Sequence, residues 1–97
     1  MAFAFFKRWL NAKPRQRADL HVVVITRADC PLCDEAWVLL EHYQQQYGFK
    51  LEAKNVDATE ALQCEFGNCV PVVTINGKVR FRGRVNEVLL QRILDAP

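Results

Sequence analysis

Cys30 and Cys33 enclose Pro31 and Leu32, a spacing that brings two thiols within one helical turn of each other. Cysteines so placed can hold a metal, sit inertly in a core, or trade electrons as a dithiol–disulfide pair. Exchange suits the setting best. A thiol attacks a disulfide only once ionised, and Cys30 falls where a β-branched run ends and a helical pattern begins. Unpaired amides and the dipole at a helix start favour a negative sulfur. Cys30 is therefore expected to ionise below the roughly 8.5 of a free thiol, and Arg27, three residues upstream, adds a cation. Cys33, one turn on, is the expected resolving thiol. Cys30 attacks a substrate disulfide to form a mixed disulfide, and Cys33 then attacks Cys30 and releases the reduced substrate. Pro31 and Leu32 affect how well the reduced thiolate is stabilised. Metal ligation is disfavoured, because Cys64 and Cys69 do not make a second CxxC, and no metal is expected.

The elements that must position these thiols are legible on either side. His21–Thr26 is a nearly continuous β-branched run, the mark of a strand covered on both faces. A helix is expected from Cys30 or Pro31 to Gln46, with proline tolerated in its first turn and Gly48 as its stop. Ala36, Leu39, Leu40 and Tyr43 form its apolar face, with Trp37 alongside. Phe49–Val56 alternates apolar and polar residues and reads as a strand with one more exposed face. Asp57–Thr59 can cap a short helix over residues 60–66, ended near Gly67. Pro71–Ile75 reads as a third strand, and Asn76-Gly77 as a hairpin turn into Lys78–Arg82. Beyond Gly83, Asn86 caps a last amphipathic helix through Val88, Leu89, Arg92 and Ile93. The order β-α-β-α-β-β-α predicts an α/β fold: a four-stranded mixed sheet with helices on both faces.

Composition narrows the function classes. A 97-residue chain with 51% hydrophobic and 25% charged residues is a single globular domain, not a disordered chain. Five basic side chains and one acid fall within residues 1–20, whereas residues 21–97 are mildly acidic. That balance, with no zinc-finger spacing and no aromatic-basic stripe, argues against nucleic-acid binding. Residues 1–19 read as a basic and apolar arm with a linker at 11–19, and residues 20–97 as the folded domain. The run Met1–Phe6 is too short to span a bilayer, and its charge follows the apolar residues instead of preceding them, unlike a signal peptide. Residues 1–10 therefore point to packing on the domain or a partner, or to weak membrane contact through Phe5, Phe6 and Trp9. A reducing cytoplasm is the expected compartment, where a CxxC is more often redox-active or metal-binding than structural.

The chain resembles the glutaredoxin branch of the thioredoxin superfamily, and within it a group of short bacterial glutaredoxin-like proteins. Cys30-Pro31-Leu32-Cys33, the loop Cys69-Val70-Pro71, and Gly83 before the last helix carry the match, over roughly residues 21–95. The resemblance implies a thioredoxin-like fold, Cys30 as nucleophile and a cis peptide before Pro71. It also implies that the Val70 backbone holds a peptide or glutathione in a strand-like pose, with Leu32 and Gly83 beside it. Arg27 matches a basic residue common three positions before the first cysteine. Two features depart from the pattern: Leu32 replaces an aromatic residue, and Gly83-Arg84-Val85-Asn86 replaces a glycine pair followed by an acid. Thioredoxins match less well, since Trp-Cys-Gly-Pro-Cys is absent. The implied activity is thiol–disulfide exchange on protein disulfides or glutathione mixed disulfides, with no tightly bound cofactor and glutathione as a candidate co-substrate. The competing reading is a binding or scaffold protein on the same fold, its thiols incidental.

Cys64 and Cys69 are open to two readings. They are accessory thiols, bonded to each other or, for Cys69, facing Cys30 across a cleft; or they are small apolar packing residues. His21 and His42 read as surface or packing residues, and Trp37, Tyr43 and Tyr47 as helix packing. Capping is the expected role of Asp29, Asp34 and Asp57.

Overall fold

A computed structural model describes residues 16–96. The expected arm and most of the expected linker, residues 1–15, lie outside the described residues. The chain runs β1 (His21–Thr26), α1 (Pro31–Tyr47), β2 (Lys50–Asn55), a 3₁₀ turn (Val56–Ala58), α2 (Glu60–Phe66), β3 (Val72–Ile75), β4 (Lys78–Arg82) and α3 (Glu87–Asp95). The sheet order is β2-β1-β3-β4. β1 and β2 are parallel, as their helical crossover requires, and the β1–β3 and β3–β4 pairs are antiparallel. This is the thioredoxin fold.

Successive side chains of a strand point to opposite faces, and the central strands use both. Val22, Val24, Val73 and Ile75 pack with Ala36, Leu40, Tyr43 and Tyr47 of α1 and Leu90 and Leu94 of α3. Val23, Ile25 and Val72 pack on the other face with Val56 and with Phe66 of α2. The β-branched run of β1 is buried on both sides for that reason. β2 is more open than the one exposed face expected of it: Leu51 is half-buried and the other five residues are exposed. It is an edge strand, hydrogen-bonded to β1 alone, and the helices cover the middle of the sheet.

Local signals set the ends of the elements. Gly48 closes α1 in the left-handed region, at φ 73°, its amide donating to Gln44 O at 2.8 Å. Asn76 and Gly77 both take positive φ, at 51° and 83°, as a two-residue hairpin turn demands. The Thr59 hydroxyl caps α2 and the Asn86 side chain caps α3. The 3₁₀ turn was not expected; the Asn55 side chain starts it by accepting from the Asp57 amide at 2.8 Å.

Arg17 lies in the stretch read as linker, yet it is buried. Its Nη1 donates to Leu94 O and Ala96 O, each at 2.7 Å, and to Ile93 O at 3.2 Å, and its Nε pairs with Asp19. The guanidinium thus satisfies carbonyls that the end of α3 would otherwise leave open.

Candidate active site

β1 delivers the chain to Cys30 through a turn in which Asp29 adopts φ 58°. Cys30 is the N-cap of α1, and Pro31 occupies the first turn, where its missing amide costs nothing. Cys30 and Cys33 form a disulfide, their Cα atoms 5.2 Å apart. The two sulfurs differ in access. Cys30 is half-buried, whereas Cys33 is only 2% exposed, behind the first turn. The Cys33 amide donates to Cys30 Sγ at 3.2 Å. A donor held there by the helix would favour negative charge on that sulfur once the bond is reduced.

The other expected site residues arrive at the same end of the sheet. Ile25 pairs with Val72, so Val70 and Pro71 lie level with the turn after β1. The Val70–Pro71 peptide is cis. Pro71 O accepts from the Gly83 amide at 2.7 Å, which joins the loop before β3 to the loop after β4. Leu32, 38% exposed, stands on the first turn of α1 and lines a groove that also holds Arg84 and Val85.

Arg27, in the turn after β1, reaches both the 3₁₀ turn and the end of α2. Its Nε and Nη2 donate to Asp57 at 3.1 and 3.2 Å, and its Nη1 to Gly67 O at 2.9 Å. The hydrogen bond to the Arg27 guanidinium, reinforced by its charge, holds the Asp57 carboxyl below the usual carboxylate range. Gln63 adds a third donor to Asp57. Asp57, expected only as a cap, is instead the acceptor that fixes Arg27 against the end of α2. Thirty residues separate the pair, and no local pattern announces it.

Cys64 is exposed and Cys69 half-buried, and both are free thiols. Cys69 Sγ donates to Phe66 O at 3.5 Å and accepts from Arg82 Nη1 at 3.3 Å. The Arg82 guanidinium lies over the Phe66 ring, 5.5 Å from its centroid. His21 faces Glu52 at 3.0 Å and His42 bonds Gln46, both on the surface. Among the described residues, no group of three or more His, Cys, Asp or Glu side chains could hold a metal ion. Among them, too, no helix is long and apolar enough to cross a membrane.

Comparison with known proteins agrees with this geometry. Residues 21–95 match the family model described as Glutaredoxin-like domain (DUF836). A probable thioredoxin from Methanothermobacter thermautotrophicus is 30% identical over 80 residues, covering 78% of this chain and 94% of the relative. A solution structure of a protein from Nitrosomonas europaea superposes with a TM-score of 0.67 at 26% identity, covering 86% of this chain and 94% of its own. Oxidised thioredoxin from Plasmodium falciparum shares the fold, with a TM-score of 0.56 at 14% identity over 94% of this chain and 88% of its own. A CxxC pair at disulfide-forming distance on this scaffold is equipped for thiol–disulfide redox chemistry.

Proposed function

Because the chain belongs to the Glutaredoxin-like domain family, we propose that it reduces protein disulfides or glutathione mixed disulfides, with Cys30 as nucleophile and Cys33 as resolving thiol. One observation carries the assignment: the more accessible sulfur accepts the Cys33 amide at the mouth of α1, while its partner is buried behind it. Pro31 keeps the first turn free of a competing donor. Val70 presents its backbone to an extended substrate beside Pro71, with Leu32 and Gly83 completing the surface. Arg27 acts by holding the loop that leads to Val70 against the active-site turn, a role supported by its bonds to Asp57 and Gly67. Electrons come from glutathione as co-substrate or from a protein dithiol, with no tightly bound cofactor. Cys69 packs the loop in this reading, supported by its contacts with Phe66 and Arg82. A reducing compartment such as the cytoplasm suits the two free thiols.

Trapping tests the roles. Reduced Cys33→Ser mixed with a disulfide substrate should accumulate an adduct on Cys30, located by peptide mapping because the exposed Cys64 thiol can also exchange. Cys30→Ser should accumulate none at that position. If Cys33→Ser gains no adduct on Cys30, and the unmodified chain shows no reversible Cys30–Cys33 bond across a range of potentials, the scaffold reading replaces this one.

A further inference from the structure

A groove of about 590 Å³ opens between α1 and the segment entering α3, with Leu32 on its wall. Its apolar lining comes from Leu32, Ala36, Val38, Leu39 and Val85. Leu32 and Val38, 38% and 65% exposed, are two of the four large apolar residues the described chain leaves open to solvent. The polar rim is unbalanced. Among the described residues, Asp34, Glu35 and Glu87 line it against a single cation, Arg84, whose Nη2 sits 3.9 Å from Glu35.

Leu32, between the two cysteines in sequence and itself exposed, lines the groove, which therefore reaches the first turn of α1 that carries the reacting pair. A peptide reacting at Cys30 can place a side chain from one or two residues away into it. An aliphatic side chain would cover Leu32 and Val38, and a basic neighbour would meet the carboxylates left over by Arg84. Glutathione brings two carboxylates of its own and no aliphatic side chain.

Building on the proposed oxidoreductase function, we propose that this groove selects protein disulfides whose half-cystine is flanked by a bulky aliphatic residue and a Lys or Arg, in preference to acidic peptides and glutathione disulfide. The step balances without another reactant when the chain starts reduced. The Cys30 thiolate displaces one substrate sulfur, which takes up a proton, and forms a Cys30–substrate disulfide. Cys33 gives up its proton and attacks Cys30, the second substrate sulfur leaves as a thiol, and two electrons have passed from the chain to the substrate.

The test is single-turnover reduction by the pre-reduced full chain, freed of reductant. The substrates are synthetic peptide disulfides bearing Leu with Lys, Leu with Glu, or Ala with Lys beside the cysteine, together with glutathione disulfide and dipyridyl disulfide. The Leu–Lys peptide should react at least about fivefold faster than the Leu–Glu peptide at low salt, with the gap narrowing as salt screens the rim. It should also outrun the Ala–Lys peptide and glutathione disulfide. Glu35→Lys should bring the Leu–Lys to Leu–Glu ratio to one or below, and Val38→Asp should erase the advantage of Leu over Ala. Both positions are exposed, and each variant is judged by ratios within itself, so a general loss of rate does not imitate the effect. Equal rates for all peptides, or faster reaction of the acidic one, overturn the groove assignment, while formation of the Cys30–Cys33 bond by dipyridyl disulfide, read by peptide mapping because exposed Cys64 also reacts, keeps the redox function standing. Failure of dipyridyl disulfide to form that bond overturns both.

Discussion

Cys30 illustrates how much a single atom's surroundings decide. Its sulfur faces a donor fixed by helical geometry, and the proposed role of nucleophile rests on that donor being in place before any substrate arrives. Arg27 works at one remove: its guanidinium is held by Asp57 and Gly67, and so the residue shapes the loops around the thiols. That ion pair has a pH signature. The folded-state pKa of Asp57 is depressed by Arg27, so its contribution to stability is present above the unfolded carboxylate pKa of roughly 3.9 and is lost as pH falls through the lower folded value. Both partners are substantially exposed, and the effect is correspondingly small and salt-sensitive. Asp57→Asn should lower the denaturant midpoint at neutral pH, and the difference from the unmodified chain should shrink on acidification. A constant difference from neutral to strongly acid pH would show that the pairing contributes nothing. The presence of Arg27 could be read from sequence, but its destination could not, because the acceptor comes from a loop thirty residues on.

Two tyrosines tie α1 to α3. Tyr43 donates to Glu87 at 2.7 Å and accepts from Gln91 at 2.6 Å, while Tyr47 donates to Asp95 at 2.7 Å. Burial and the adjacent carboxylate push the Tyr47 phenol up to about 12, and burial followed by the Glu87 hydrogen bond raises that of Tyr43. These are the only two tyrosines in the chain, so tyrosinate absorbance reports this junction alone. Their raised folded values mean that the contribution to stability is complete below the unfolded pKa of roughly 10 and disappears as pH climbs through the folded ones. A titration should therefore show less ionisation at pH 10 in the folded chain than in denaturant, where the transition is normal. Ionisation near 10 in both states would mean that the junction is open. Helix α1 itself was readable, since its spacing of apolar residues and the Gly48 stop are local signals. The tyrosines were rightly read as packing residues. Their acceptors, Glu87 and Asp95, could not be inferred, because they belong to a helix that is distant in sequence. The exposure of β2 was also illegible: an alternating pattern marks a strand, and its place at the edge of the sheet follows from pairing.

Across the whole molecule, the thiols and the Arg17 staple occupy opposite ends. β1 leads from Leu20 beside Arg17 to the active-site turn, and α3 runs back from the Gly83 loop to the carbonyls that Arg17 binds. Arg17→Ala should cost about 2 kcal/mol by uncovering acceptors at the end of α3. Urea unfolding would register this as a lower midpoint with an unchanged slope, and an unshifted midpoint would remove Arg17 from the list of stabilising residues. The overall order of elements was legible because each strand and helix carries its own punctuation, and the CxxC pair because its position at a strand-to-helix junction is itself local. The staple was not, since a basic residue in a charged, proline-containing stretch gives no sign that a helix end will enclose it. This placement has a practical corollary. Among the described residues, Arg17 and Ala96 both lie at the pole remote from the sulfurs. A reporter domain or a solid support attached just after Ala96 should therefore leave the redox pole facing solution.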